Sequence, residues 1–307
     1  MITSLSGCSK QKKSDKLKIL CTTFPIYDWT LNITKNIPEA EVSLLMTKGT
    51  DLHNFQPSVE DIVKISESDI FIYNGGESEE WIKDVLKNSP NKNLVAINLM
   101  KNLTQDKLIR EDVDPFLYNI ADNYQIEKNN DEHIWLSLEL AQISATIIER
   151  NICESQKISD ESRIILKSNI ENYTKELFEL KLSGLELRRK NPVKIVVADR
   201  NPFVYLARDF LMEVFAAFDG CSAETEASFE TIIDLTEKIK KYNIDTIFVT
   251  ESSDKKIAQT ISKASKKNLK IEVLDSMQSV SEKDIKNGAT YIGIMKKNIE
   301  TLLKAVK

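Results

Sequence analysis

The chain has 307 residues, 41% hydrophobic and 29% charged, with 42 Lys and Arg against 47 Asp and Glu for a net charge of −5. That balance excludes a disordered or membrane-embedded class, and the negative charge gives no electrostatic ground for nucleic acid as a partner. Gly (8) and Pro (7) are scarce, which points to a helix-rich chain, and neither GxGxxG nor GxxxxGK[ST] occurs to cradle nucleotide phosphates.

In chain order, LSGC at residues 5–8 followed by SKQKKSDK reads as a lipoprotein-type cleavage site, with Cys8 the lipidated residue and 1–16 a tether. Only MITSLSG precedes that cysteine, too little for a signal core, so a truncated start is preferred over an accidental match. No later segment approaches the roughly 18 apolar residues of a membrane span, leaving a lipid as the only anchor. From KLKILC onward, strands alternate with helices: EVSLLM, SVEDIVKISES, DIFIYN, EEWIKDVLKN and NLVAINL. Residues 101–130 read as exposed loop, and WLSLELAQISATIIER as helix.

A run from about Asp160 to Lys190 holds no proline and only Gly184, and reads as one helix unusually long for a globular protein. After it the alternation restarts with VKIVVAD and continues to TYIGIMKKNIETLLKAV. The expectation is an α/β protein of two Rossmann-like lobes with parallel sheets. Residues 17–158 and 192–307 form the lobes, 159–191 the single backbone helix joining them, and a cleft lies between.

Ligands in open α/β sheets gather outside the carboxyl ends of strands, and the candidate residues lie there. His53 follows EVSLLM, Asp199 and Arg200 follow VKIVVA, Glu224 and Glu226 follow EVFAAF, Glu251 follows DTIFVT, and Asp275 follows KIEVL. The only other histidine is His133, in DEHIWL. Imidazole with carboxylate is a suitable donor set for Zn²⁺ or Mn²⁺. Each residue also has a plain structural reading. His53 is then a surface loop residue, His133 a helix cap or a residue packed in an interface, Asp275 an N-cap, and Glu224 and Glu226 a solvated helix start. Spacing alone leaves both readings open. None of the four cysteines lies in a CxxC pair, so no zinc ribbon or thioredoxin-like site is indicated.

GTDLHNFQPSVEDI with SDIFIYNGGESEEWI, then DEHIWLSLE, FVYLARDF and TYIGIMKKNIETL, together resemble the bacterial zinc/manganese ABC-transporter substrate-binding proteins, from about residue 17 to the end. The resemblance implies two lobes on a rigid helix and a monomer lipid-anchored to the outer face of the cytoplasmic membrane. It implies capture of Zn²⁺ or Mn²⁺ for delivery to an ABC permease, and no catalysis.

It also implies His53, His133 and Asp275 as ligands. At the family's remaining ligand position stands Arg200, a fixed cation with no acceptor. At about 4 Å it would repel a dication by several kcal/mol at an effective dielectric near 20. Glu224 or Asp199 is the candidate replacement, with Arg200 and Glu226 beside the site. Alternatively Arg200 marks a receptor for an anionic chelate or another small anion, or the chain is an adhesin retaining the receptor fold. A metal-dependent hydrolase is disfavoured, since HExxH is absent and no histidine remains as a base.

Overall fold

The computed structural model of the chain describes residues 16–105, 131–190, 193–219 and 227–306. Cys8, Glu224 and Glu226 lie outside them, as does most of the expected 101–130 loop. Its first residues belong instead to a helix, Leu99–Gln105.

Each lobe is built on a parallel four-stranded sheet. In the N-terminal lobe β1 (Leu17–Cys21), β2 (Ala40–Leu44), β3 (Ile70–Tyr73) and β4 (Val95–Asn98) are ordered β2-β1-β3-β4. In the C-terminal lobe β5 (Val193–Asn201), β6 (Met212–Asp219), β7 (Thr246–Thr250) and β8 (Lys270–Leu274) repeat the pattern as β6-β5-β7-β8. The central strands LKILC, IFIY and TIFVT are nearly all buried, because helices cover both faces of a parallel sheet and leave no polar side. In each lobe the chain reverses its direction of winding between the two central strands. That switch point is where loops part and leave a crevice at the carboxyl ends.

The interlobe helix runs from Asp160 to Ser183. Ser159 caps it by accepting from Ser162 N at 3.2 Å, and Asp160 and Glu161 suit the positive end of its dipole. It packs on the helices Phe24–Ile33 and Leu138–Cys153 and on the C-terminal helix Tyr291–Ala305. Leu166, Ile170, Tyr173, Leu177 and Leu180 form its inward stripe, while Ile164, Phe178 and Leu182, also apolar in sequence, face outward. The single helix expected over 159–191 breaks at Gly184, after which a short helix covers Leu185–Arg189. A Cβ at Gly184 would stand 2.4 Å from the Phe210 ring, so at the break Phe210 of the C-terminal lobe packs where only glycine leaves room.

The lobes share one continuous core, in which Trp29 meets Tyr291 edge-on at 5.2 Å. Two buried carboxylates tie the lobes reciprocally. Asp28, from the first helix, accepts from Tyr291 N at 3.2 Å, at the start of the C-terminal helix. Asp209 of the C-terminal lobe accepts from Ser137 Oγ and Leu138 N, both at 2.8 Å, at the start of the helix Leu138–Cys153. Each lobe thus satisfies orphan N–H groups of a helix rooted in the other.

Candidate metal centre

His53 lies in a single 3₁₀ turn, Leu52–Asn54, between β2 and the helix Val59–Glu67. Asp51 starts the turn by accepting from His53 N at 2.9 Å. The following helix is fixed by a capping box: Ser58 Oγ accepts from Asp61 N at 3.2 Å and Asp61 accepts from Ser58 N at 3.0 Å. His133 precedes a second 3₁₀ turn, Ile134–Leu136, and is fully buried. Its neighbour Trp135 donates to Ser276 O across the cleft at 2.8 Å, and Tyr205 of the C-terminal lobe donates to Asp131 O at 2.7 Å. The His133 loop is therefore clamped by the opposite lobe.

The two rings meet edge to face with Nε2 atoms 3.3 Å apart. The other nitrogen of each ring is bound to a carboxylate. His53 Nδ1 lies 3.0 Å from Glu132 Oε1 and 2.8 Å from Ser78 Oγ, and His133 Nδ1 lies 3.0 Å from Asp131 Oδ1. Ser78 in turn donates its hydroxyl to Glu132 Oε1 and its N–H to Oε2. Gly76 makes room for this carboxylate. Its φ is +97°, and a Cβ there would fall 2.5 Å from Glu132 Oε2.

Protons on both Nδ1 atoms make both Nε2 atoms acceptors that face one another, the arrangement that carboxylate–histidine–metal triads impose. Two nitrogens on a tetrahedral zinc at about 2.0–2.1 Å stand about 3.3–3.4 Å apart, so the observed spacing suits a shared ion. Burial pushes the His53 pKa down, but the hydrogen bond and charge of Glu132, with Asp51, outweigh it. The net shift is above the ordinary 6.5, against the opposing charge of Arg200. Glu132 is raised by burial, and the bonds from His53 and Ser78 more than reverse this, leaving it below its usual range.

From the C-terminal lobe the group that reaches the histidines is Gln278, whose amide nitrogen lies 2.8 Å from both Nε2 atoms. Asp275 does not join them. Its Oδ1 accepts from Met277 N at 2.8 Å, and its N–H and C=O are both bonded to Asn298. Burial raises the Asp275 pKa. Asp199 accepts from Arg200 N and from Thr250 Oγ1, both at 2.8 Å. Glu251 accepts from Ser276 N and Oγ, both at 2.8 Å. Among the described residues, no three His, Cys, Asp or Glu side chains form a group able to hold a metal.

The sequence profile of the family described as zinc-uptake complex component A, periplasmic (ZnuA), matches residues 19–305. The chain belongs to this family. It is 30% identical over 294 residues to the zinc-binding protein AdcA of Streptococcus pyogenes serotype M6, covering 94% of this chain and 55% of that relative. The chain thus spans about half the length of the AdcA relative. It is 28% identical over 295 residues to the high-affinity zinc uptake system protein ZnuA of Bacillus subtilis, covering 96% of this chain and 89% of that protein. The crystal structure of the Zn(II)-bound ZnuA-like domain of Streptococcus pneumoniae AdcA superposes with a TM-score of 0.72 at 27% identity. That match covers 95% of this chain and 99% of the solved one. The two-lobed α/β expectation is therefore borne out. The ZnuA family is described as a component of a zinc-uptake complex.

Within this ZnuA-family fold, His53 and His133 come together from loops 80 residues apart. Sequence reasoning missed Glu132, Asp131, Ser78 and Gln278. The two acids had a local signal, since they immediately precede His133 in DEHIWL. Ser78 and Gln278 had none, because their role depends on which loops face one another across the cleft.

Proposed function

We propose that this chain is an extracytoplasmic receptor that captures Zn²⁺ between its lobes and delivers it to an ABC permease. The observation that carries the reading is the pair of inward Nε2 atoms, 3.3 Å apart, with both Nδ1 atoms committed to buried carboxylates. Neutral imidazole is a good ligand for zinc, and the oriented carboxylates raise its basicity. Family membership and the names of the zinc-binding relatives support zinc as the ion. An outer-face location held by a lipid on Cys8 belongs to the same proposal.

The reading assigns His53 and His133 as the N-terminal ligands, with Gln278 and Arg200 forming the C-terminal side of the cleft. The buried contacts between lobes favour small tilts over wide hinge opening. Stoichiometric zinc should bind the purified protein, and His53→Ala and His133→Ala should each weaken binding at least about 100-fold, as expected for loss of a metal ligand outright. Isothermal titration checks both, and full affinity in either variant would refute the site.

A further inference from the structure

One side chain of the C-terminal lobe touches both imidazoles at their inward nitrogens. Gln278 Nε2 lies 2.8 Å from Nε2 of His53 and 2.8 Å from Nε2 of His133. Protons held on the Nδ1 atoms by Glu132 and Asp131 make both Nε2 atoms acceptors, so the two N–H groups of the amide are what satisfies them. The amide oxygen lies at the other side, 3.0 Å from Ser276 Oγ. That hydroxyl is also 2.8 Å from Glu251 Oε1, and it has one proton for the two acceptors.

The backbone carrying Gln278 is held firmly. Ser276 N donates to Glu251 Oε2, Ser276 O accepts from Trp135 Nε1, and Met277 N donates to Asp275 Oδ1, each at 2.8 Å. Met277 is buried and has a φ of +60°, a left-handed conformation uncommon outside glycine. The terminal amide torsion is by contrast soft and roughly two-fold, and a half-turn about it exchanges Nε2 and Oε1 in place. Nε2 can then donate to Ser276 Oγ, whose proton goes wholly to Glu251, and Oε1 faces the rings. An oxygen facing two nitrogen lone pairs is repelled, and so is an N–H facing a cation. The presence of an ion between the rings therefore decides which end of the amide lies there. A carbonyl oxygen is also a donor to divalent metals, and two imidazoles fill only about half of a tetrahedral zinc shell.

We propose that Gln278 is the ion-sensing residue of the opposite lobe. Its amide nitrogen closes the pair of imidazoles in the metal-free protein, and a half-turn of the amide presents Oε1 as a further ligand to zinc held by His53 and His133. The inference rests on the zinc reading above, and its test separates the two. Zinc affinity of the parent, Gln278→Ala and Gln278→Glu would be measured by competition with a chromophoric chelator at constant pH, with circular dichroism confirming that each is folded. The side-chain amide signals of Gln278, identified in ¹⁵N-labelled parent by their loss in Gln278→Glu, would be followed as zinc is added.

Gln278→Ala should bind zinc about ten-fold or more weakly than the parent. Gln278→Glu, which offers an oxygen in either orientation, should restore at least the parent affinity. The Gln278 amide signals should move with zinc and stop moving when the site is saturated. An amide that only plugs the site predicts the reverse for alanine, because removing it frees both imidazoles. Gln278→Ala at parent affinity or tighter would therefore overturn the proposal, as would Gln278→Glu no tighter than Gln278→Ala, or amide signals unmoved at saturating zinc. If the parent binds no zinc, the zinc reading falls and this inference with it. Binding lost in His53→Ala but kept in Gln278→Ala removes this inference alone.

Discussion

Replacing Glu132 by glutamine tests the logic of the site most directly. The buried carboxylate accepts from His53 Nδ1 at 3.0 Å, from Ser78 N at 3.1 Å and from the Ser78 hydroxyl. Glutamine keeps the shape and one acceptor oxygen but removes the charge. Loss of such an outer carboxylate typically lowers metal affinity about 10- to 100-fold, or about 1.4–2.7 kcal/mol. A second effect has the opposite sign at low pH. Glu132 helps hold the His53 pKa above 6.5, and zinc binding requires the neutral ring. Below the His53 pKa the parent therefore loses about ten-fold in affinity per pH unit for this one proton. Without the carboxylate the pKa falls, so the acid limb moves to lower pH and the two curves converge. Competition titrations from pH 5.5 to 8.5 would show both effects, with thermal unfolding of the metal-free proteins as the folding control. Unchanged affinity at pH 7.5 with an unmoved acid limb would show that Glu132 neither orients nor polarises the ring.

Two further outcomes concern the ties between lobes. Asp209→Ala leaves Leu138 N and the Ser137 hydroxyl without their buried acceptor. It should cost about 2–4 kcal/mol, the range for breaking a buried charged cap, and urea unfolding measures this. Asp28 is pushed up to about 6 from 3.8 by burial, with Tyr291 N and Tyr173 opposing. Between those values the folded protein keeps a proton that the unfolded chain has lost, so this group's contribution to stability falls as pH rises from about 4 to about 6. Asp28→Asn should abolish that part of the slope and gain at most about 3 kcal/mol over the parent at pH 7.5. Parallel stability profiles for the two proteins across this window would contradict it.

Much of the architecture was legible because it depends on local pattern. Strands such as LKILC and TIFVT are short continuous apolar runs, and SVED announces its helix by a capping box. The long run before Asn191 also read correctly as a helix, but its end did not. The helix breaks at Gly184, where Phe210, 26 positions later, fills the space a Cβ would need. His53 and His133 were identifiable as candidates from scarcity and from their motifs, since a histidine beside acids or at a strand end is a local feature.

The partners across the cleft were not legible. The carboxyl ends of strands singled out Asp275 and Asp199, yet both side chains turn to backbone and hydroxyl donors of their own lobe, and Gln278 reaches the rings instead. Backbone groups at a loop compete for a nearby carboxylate as strongly as any distant ligand does, and sequence spacing cannot say which wins. The sequence by itself determined the elements, the lobes and the two imidazoles. Only the tertiary structure decided what faces those imidazoles, because the approach of two loops across a cleft is set by packing between lobes and not by any local preference of the chain.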